Sequence, residues 1–329
     1  MRSSCPLCIV SLFLHVHLRK GYFMFSQHTS RRDFLLIVCA SVSWGTIGIA
    51  NQALYASGAT NALSLTFFRL AIATPLFFLA SWTRLGRRLF HIKHRDLAMM
   101  MGMGSLMALS QTCYVAAIPS AGVSVSTLIA ICAVPVIIAL FSALMTRERF
   151  TPLTLFALVG AVSGTALLVM ARPHLNEGSV SFLGVFFAFL SACAYAGFIL
   201  CGRLLTGRYH PLQINFVAFG TGALLLLFCA SSTRLVVVYP VWGWLLLLYL
   251  GCVPSALGYA LFQTGIRSLS ATVASIVTMC EPLTAAVLAW ILFREELGPF
   301  GLLGAGCLLG AMAVILLVPR KYFEKGSES

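Results

Sequence analysis

The sequence predicts an all-α integral membrane protein in which about ten transmembrane helices form two inverted five-helix repeats. Three observations predict this fold: about ten long apolar segments between Phe34 and Val318, basic residues collected in alternate loops, and a second half that repeats the pattern of the first. The 329 residues are 60% hydrophobic and 9% charged, whereas soluble domains carry about 25% charged residues. No water-soluble core could bury so much apolar surface.

Runs of about 20 apolar residues predict membrane-spanning helices, because a bilayer offers no partner for exposed backbone N–H and C=O groups. Proline residues near several helix starts and clusters of charged residues mark the breaks. Glycines at small-xxx-small spacing, Gly160 to Gly164 and Gly306 to Gly310, predict close packing of neighbouring helices. The predicted spans cover residues 34–52, 62–82, 97–117, 121–145, 152–171, 180–202, 211–231, 243–263, 271–293 and 298–318.

The basic residues predict the orientation in the membrane. The formal net charge is +13, but Lys and Arg alternate between loops instead of forming one face, so the charge indicates topology and not nucleic-acid binding. By the positive-inside rule, both termini are cytoplasmic. The side predicted to be cytoplasmic receives Arg31, Arg32, Arg84, Arg87, Arg88, Lys93, Arg95, Arg147, Arg149, Arg203, Arg208, Arg267, Arg320, Lys321 and Lys325, and the other side receives Arg172, Arg234 and Arg294.

Four segments follow from the spans and the orientation. Met24 opens a short polar and basic lead into the first span, so a translation start at Met24, without residues 1–23, is a hypothesis. The segments are an N-terminal cytoplasmic segment (1–33), a first repeat of five helices (34–171), a second repeat of five helices (180–318) and a cytoplasmic tail (319–329).

Cysteines and catalytic motifs do not point to an enzyme. Most of the 11 cysteines lie inside apolar segments, where they act as small apolar side chains, so neither a metal site nor a cofactor is predicted. The sequence has no GxxxxGK[ST] motif and no HExxH motif. Three alternatives stay open, namely an integral-membrane lipid-modifying enzyme, a passive channel and a membrane scaffold.

An internal repeat relates the two halves. Pro135 is followed by Glu148 at the same separation as Pro282 is followed by Glu295, and an arginine precedes each glutamate. These residues predict equivalent helix breaks and helix exits. Because each half contains five helices, an odd number, the second half must enter the membrane from the opposite side. Inverted repeats of this kind predict two exchangeable states that open to opposite sides of the membrane.

Three features of the sequence occur together: the pair Trp44-Gly45 in the first span, the pair Phe68-Arg69 in the second, and the two Pro-to-Glu exits. In this combination the chain resembles the EamA-type transporters of the drug/metabolite transporter superfamily. The resemblance implies a carrier of the bacterial cytoplasmic membrane that exports small metabolites, often amino acids or related compounds, through a central cavity. An importer or exchanger of another metabolite is the alternative. A lipid bilayer and a small-molecule substrate are the expected partners, and a homodimer is left open.

Two ionisable residues at lipid depth are the leading site candidates, since charges there are costly. Glu281 can bind and release a proton or pair with a substrate ammonium; alternatively it forms a fixed ion pair or accepts a helix hydrogen bond. Arg69 can bind a substrate carboxylate with two hydrogen bonds, or it anchors a helix end or pairs with a neighbouring helix. In the first repeat Val134 stands where the second has Glu281, so any role of the acid breaks the internal symmetry.

Polar and aromatic side chains in other spans complete the predicted pathway. A cavity for a zwitterion needs hydrogen-bond partners and an apolar or aromatic wall. Taken alone, each of these residues is more often a helix-packing or interface residue. The candidates are Trp44, Asn51, Gln111, Tyr114, Tyr195, Asn215, Tyr259 and Gln263.

Overall fold

The computed structural model describes residues 31–56, 60–146, 152–170, 181–230, 235–267, 269–293 and 298–317. Within these ranges the chain consists of helices, turns and short extended connections, with no strand. The predicted all-α class is confirmed. Residues 1–30, with Met24 among them, lie outside the described residues, and so do the C-terminal tail, Glu148 and Glu295.

The helices follow the predicted spans closely. Eight segments of the described chain are long and apolar enough to cross a membrane, and two shorter apolar helices occupy the positions of the fifth and tenth predicted spans. In order, the elements are α1 (Arg31–Ala56), α2 (Ala62–Leu85), a 3₁₀ turn (Gly86–Phe90), α3 (His94–Thr146), α4 (Pro152–Met170), α5 (Phe182–Thr206), α6 (Pro211–Cys229), α7 (Val241–Leu250), a π-helical turn (Gly251–Leu257), α8 (Gly258–Gly265), α9 (Ala271–Thr278), α10 (Cys280–Phe293) and α11 (Pro299–Leu317).

Helix α3 contains two spans and folds back on itself. The hydroxyls of Tyr114 and Thr127 share a hydrogen bond of 2.7 Å, although a straight helix would place these residues roughly 20 Å apart along its axis. The chain therefore turns between them while it keeps its helical backbone. The two arms, His94–Ile118 and Val125–Ser142, are the third and fourth spans.

One end of the bundle carries a network of charged and polar contacts. Arg208 Nη1 lies 3.2 Å from Asp96 Oδ1, and the hydroxyl of Tyr209 donates to Asp96 Oδ2 at 2.7 Å. Gln213 Nε2 donates to the carbonyl of Leu89 at 2.8 Å. We call this the basic end, defined by the connections 86–93 and 207–210. It joins a connection of the first half to one of the second.

Neutral contacts hold the opposite end, which is defined by residues 60–61 and 235–240. Thr60 and Tyr239 share a hydroxyl hydrogen bond of 2.7 Å, and the amide of Val236 donates to Ser64 Oγ at 2.9 Å. These contacts also join the two halves. The chain thus passes repeatedly between two well-separated ends, as membrane-spanning helices require.

Helix packing pairs equivalent elements of the two halves. Helix α2, the second span, packs against α6, the seventh, and α4, the fifth, packs against α11, the tenth. Two further contacts correspond to each other. Helix α1, the first span, packs against α8 in the eighth span, and α5, the sixth span, packs against α3, which contains the third span. Such pairing is what a twofold relation between the halves produces.

The contact between α4 and α11 depends on glycine. A Cβ at Gly164 would lie 2.7 Å from the carbonyl oxygen of Gly304, so the two backbones touch. The prediction that Gly306 and Gly310 pack in this way is wrong for the described residues, since among them a Cβ at either glycine would meet nothing within 4 Å. At about 100° per residue, Gly306 lies on nearly the opposite face from Gly304.

Apolar side chains cover the outside of the bundle and polar side chains lie within it. Phe186, Leu224 and Trp290 are exposed, whereas Asn215 and Gln263 are buried. In water this distribution would be unfavourable, but lipid solvates an apolar exterior. The structure is therefore that of a protein whose solvent is a bilayer.

Candidate functional site

Five predicted residues come together near the middle of the bundle. We call Trp44, Arg69, Tyr195, Tyr259 and Glu281 the central cluster. The rings of Trp44 and Tyr259 have centroids 4.8 Å apart, and the rings of Tyr195 and Tyr259 both contact that of Phe198. Arg69 interacts electrostatically with Tyr259, Glu281 and Tyr195. The cluster draws on α1, α2, α5, α8 and α10, and hence on both halves.

Arg69 is held at one nitrogen and open at the others. The residue lies on α2 and is only 6% exposed. Its Nε donates to Ser255 Oγ at 3.3 Å. Among the described residues, its two terminal nitrogens have no hydrogen-bond partner. The end of the guanidinium that can bind a carboxylate through two parallel hydrogen bonds is therefore available.

Glu281 lies at a break in the ninth span. Helix α9 ends at Thr278, and α10 begins at Cys280, so Glu281 occupies the first turn of α10. The N-terminal end of a helix stabilises a negative charge at this depth. The buried Pro282 follows directly and lacks the N–H that a continuous helix would use. In the first repeat, Pro135 is also buried but lies within the uninterrupted α3.

The two opposite charges of the cluster do not touch. Within the described part of the chain, Arg69 and Glu281 form no ion pair with an N–O distance of 4.0 Å or less. Arg69 and Glu281 are therefore farther apart than this, although they attract each other electrostatically. Glu281 is partly buried, and its carboxylate has no hydrogen-bond partner among the described side chains. Among the described residues, each group is therefore without a direct partner of opposite charge, and a ligand that carries both charges would complement both.

Aromatic side chains form the wall of the cluster. The ring of Tyr259 lies 4.9 Å from that of Phe219 and 5.8 Å from that of Phe198, centroid to centroid, in edge-to-face contacts. Tyr195 stacks on Phe198 at 5.9 Å. The hydroxyl of Tyr259 also points to Met107 Sδ at 3.9 Å. Such a wall suits an apolar or aromatic side chain and the face of an ammonium group.

Two further candidates extend the cluster towards the basic end. Asn215 Nδ2 donates to the carbonyl of Tyr259 at 3.0 Å. Gln263 lies one helical turn beyond Tyr259 on the same face of α8. Asn215 Oδ1 and Gln263 Nε2 are buried and have no partner within the described ranges.

Three predicted residues lie away from the cluster. Asn51 lies about two turns beyond Trp44 on α1, towards the opposite end. Tyr114 bridges the two arms of α3 through Thr127, and Gln111 is partly buried one turn from it. The structure does not bring these side chains to Arg69 or Glu281.

The π-helical turn of the eighth span supplies residues that the sequence did not indicate. Ser255 is fully buried and accepts from Arg69, while the carbonyl of Pro254 accepts from Trp44 Nε1 at 2.9 Å. A π-helical turn inside an α-helix is rare and often marks a functional site. The available sequence signal was a proline in the middle of an apolar run, between Gly251 and Gly258.

Comparisons with known proteins agree on one family of membrane transporters. The model of the EamA-like transporter family matches residues 32–170 and 182–317. The "uncharacterized transporter YwfM" of Bacillus subtilis is 28% identical over 287 residues, which are 87% of this chain and 94% of YwfM. The "uncharacterized inner membrane transporter YicL" of Salmonella typhimurium is 27% identical over 300 residues, which are 89% of this chain and 98% of YicL.

Two further matches concern substrate and fold. A "probable terminal-alkyne amino-acid exporter" of Streptantibioticus cattleyicolor is 27% identical over 197 residues, 59% of this chain and 63% of the exporter. A protein of known crystal structure superposes with a TM-score of 0.76, covering 88% of this chain and 98% of that one. At 20% identity, this likeness shows the fold alone.

Proposed function

Because this chain belongs to the EamA-like transporter family, we propose that it is a secondary active transporter that exports an amino acid or a related compound across the bacterial cytoplasmic membrane. The observation that carries the proposal is the pair of opposite, uncombined charges, Arg69 and Glu281, inside an aromatic wall at mid-membrane. The chain is a multi-pass membrane transporter; the substrate, the direction and the cycle are the proposed part.

The central cluster fits a zwitterion. The terminal nitrogens of Arg69 bind a carboxylate through two parallel hydrogen bonds. The carboxylate of Glu281 pairs with an ammonium, and the faces of Tyr195 and Tyr259 offer it additional attraction. Phe198 and Trp44 supply apolar surface for a side chain. The amino-acid exporter among the relatives supports the same substrate class.

Alternating access is the proposed cycle. The first repeat (34–171) and the second (180–318) rock about the central cluster, which opens in turn to each side. The pairing of equivalent helices supports a twofold relation between the halves. Broken helices at mid-membrane are typical of transporter binding sites, and here they are the π-helical turn in the eighth span and the interruption at Met279 in the ninth.

Proton coupling through Glu281 completes the proposal. A proton and a substrate ammonium compete for the same carboxylate, so Glu281 releases one as it takes up the other. If the basic end faces the cytoplasm, as the distribution of arginine and lysine supports, an inward proton can drive an outward substrate. The membrane potential supplies about 2.3 kcal/mol per charge for each 100 mV.

Counterflow in proteoliposomes tests the function. Purified protein is reconstituted in liposomes preloaded with unlabelled L-phenylalanine, and uptake of external radiolabelled L-phenylalanine is followed; the other protein amino acids are tested in the same way. We expect saturable accumulation that needs the preloaded amino acid. Protein-free liposomes and the variant Arg69→Ala are the controls and should not accumulate label. Flux without saturation or counterflow would instead indicate a channel, and absence of flux for the whole panel would overturn the amino-acid assignment.

A further inference from the structure

We infer that Trp44, Gly45 and Ser255 are positioning residues that hold the guanidinium of Arg69 and the carboxylate of Glu281 apart, so that the site selects compounds with both a carboxylate and an ammonium. This inference rests on the proposed function and deepens it. It assigns a positioning role to Gly45 and Ser255, which need not contact the substrate, and gives Trp44 this role in addition to the apolar surface that it offers to a side chain.

The first step is the shape of the eighth span. Pro254 has no N–H and cannot continue a regular α-helix without loss of a hydrogen bond. The chain instead forms the π-helical turn 251–257, and the Pro254 carbonyl accepts its hydrogen bond from Trp44 Nε1 at 2.9 Å. Trp44 is 2% exposed and packs on Tyr259 and Phe262. A rigid side chain of the first half therefore fixes a turn of the second.

The second step is the hold on Arg69. Ser255 follows Pro254 directly, so the same turn fixes the position of its hydroxyl. That hydroxyl accepts from Arg69 Nε at 3.3 Å. Because Nε is engaged, a carboxylate must bind end-on to the two terminal nitrogens. Ser255 therefore determines which edge of the guanidinium a ligand meets.

The third step is the position of Glu281. A Cβ at Gly45 would lie 2.8 Å from the carbonyl oxygen of Glu281 and 2.5 Å from Thr284 Cβ. Helix α1 thus lies in direct contact with the first turn of α10. Trp44 and Gly45 are neighbours, so a single turn of α1 locates both charged groups, one through Ser255 and the other through the backbone of α10.

The consequence is a fixed gap between two attracting charges. At low dielectric the attraction between a guanidinium and a carboxylate is strong, and direct contact would neutralise the site. When the Ser255 hydroxyl is removed, Arg69 is free to move towards Glu281. The contact between Arg69 and the substrate carboxylate is then weakened, while the other contacts to the substrate remain.

The experiment compares two probes that differ only at the carboxylate. L-phenylalanine and L-phenylalaninamide are assayed by counterflow with the wild type, Ser255→Ala, Ser255→Thr and Trp44→Phe. Ser81→Ala is the matched control, since Ser81 is a buried serine on α2 some distance from the cluster. Size-exclusion chromatography and thermal unfolding show that each variant is folded.

We expect Ser255→Ala to raise KM for L-phenylalanine about tenfold, equivalent to about 1.4 kcal/mol, with kcat changed less than twofold. KM for L-phenylalaninamide should stay the same, because the amide does not use the carboxylate contact. Ser255→Thr keeps the hydroxyl, so its KM for L-phenylalanine should stay close to that of the wild type. Trp44→Phe keeps an aromatic ring but lacks the N–H, so it should also raise KM for L-phenylalanine.

The outcomes separate the inference from the proposed function. An unchanged KM for L-phenylalanine in Ser255→Ala, or an equal rise for both probes, overturns the positioning role and leaves the transporter assignment intact. If the wild type transports no amino acid of the panel, the proposed function fails and the inference fails with it.

Discussion

Oppositely charged residues are in direct contact at the basic end but not in the central cluster. At the basic end, Asp96 is 3% exposed and contacts both Arg208 and Tyr209. In the central cluster, Arg69 lies about two turns into the second span and Glu281 near the middle of the ninth, and the two do not contact each other. Burial is costly for Asp96 as it is for Arg69 and Glu281, but only Asp96 has this cost offset by direct contact with an oppositely charged group, the half-exposed Arg208.

The difference separates charges that hold the fold from charges that act on a ligand. A buried ion pair that is fully satisfied contributes geometry and little else. Charges at lipid depth without a partner are costly and persist where a ligand or a proton completes them. We therefore propose that the basic end is a structural contact and that the central cluster is the functional one.

The two repeats show the same contrast at equivalent positions. Val134 precedes Pro135 in the first repeat and is buried in the apolar core. Glu281 precedes Pro282 in the second repeat and interacts electrostatically with Arg69. The two repeats thus differ here in charge and also in backbone, since Pro135 lies within the uninterrupted α3 whereas Glu281 follows the break between α9 and α10.

The largest expected effect follows from removal of that acid. Glu281→Gln keeps the size of the side chain but cannot bind and release a proton. We expect transport driven by an imposed pH gradient to fall more than tenfold in proteoliposomes, since the variant has lost the exchange of proton and ammonium. Unchanged dependence on the pH gradient would refute proton coupling through Glu281. Thermal unfolding of the variant serves as the control for folding.

A smaller effect, and one on stability, is expected at the basic end. Asp96→Asn removes the charge that pairs with Arg208, whose side chain is 52% exposed and stays hydrated. We expect a loss of about 2 kcal/mol in the free energy of unfolding, typical of a hydrogen bond to a charged group, with counterflow changed less than twofold. A tenfold loss of transport at unchanged stability would instead make the ion pair a gate.

Most of the fold could be predicted from the sequence because lipid allows few solutions. An apolar run of about 20 residues must be a helix in a bilayer, and each predicted span has a counterpart in the structure. The turn inside α3 was expected as a helix end, whereas the backbone stays helical there. The wrong prediction for Gly306 and Gly310 shows that spacing indicates a face but not which helix covers it.

The site could be predicted only in part. Arg69 and Glu281 stand out in any reading of the sequence, since charges are rare in spans. Ser255 does not, because its contact with Arg69 depends on the π-helical turn. The hydrogen bond from Trp44 to Pro254 joins residues on different halves of the chain, and a single sequence contains no signal for such a pair.

Tyr209→Phe is expected to have a moderate effect on stability. The hydroxyl donates to Asp96 at 2.7 Å and accepts from the Lys93 amide at 3.2 Å. Its loss should cost about 1 kcal/mol, measured by thermal unfolding. Burial raises the pKa of Tyr209, so the phenol remains a donor over the neutral range. The cost should therefore be the same at pH 6 and at pH 8, and a cost that varies between them would argue against this assignment.

The smallest expected effect is a pH dependence at the start of α6. His210 Nδ1 accepts from the Leu212 amide at 3.3 Å and caps the helix. Burial lowers the pKa of His210, and the charges of Arg267 and Arg84 lower it further, so the folded protein favours neutral histidine. The unfolded chain takes up a proton near pH 6.5; stability is therefore full above that pH and is lost as pH falls towards the lowered pKa.

His210→Asn isolates this contribution, because asparagine also caps helices but does not titrate. Acidification from pH 7.5 to pH 5.5 should lower the unfolding midpoint of the wild type more than that of the variant. Expressed as free energy of unfolding, this difference between wild type and variant should be smaller than the loss caused by Asp96→Asn, since His210 is only partly buried. Equal midpoint shifts in the two proteins would show that other groups at the basic end account for the acid sensitivity.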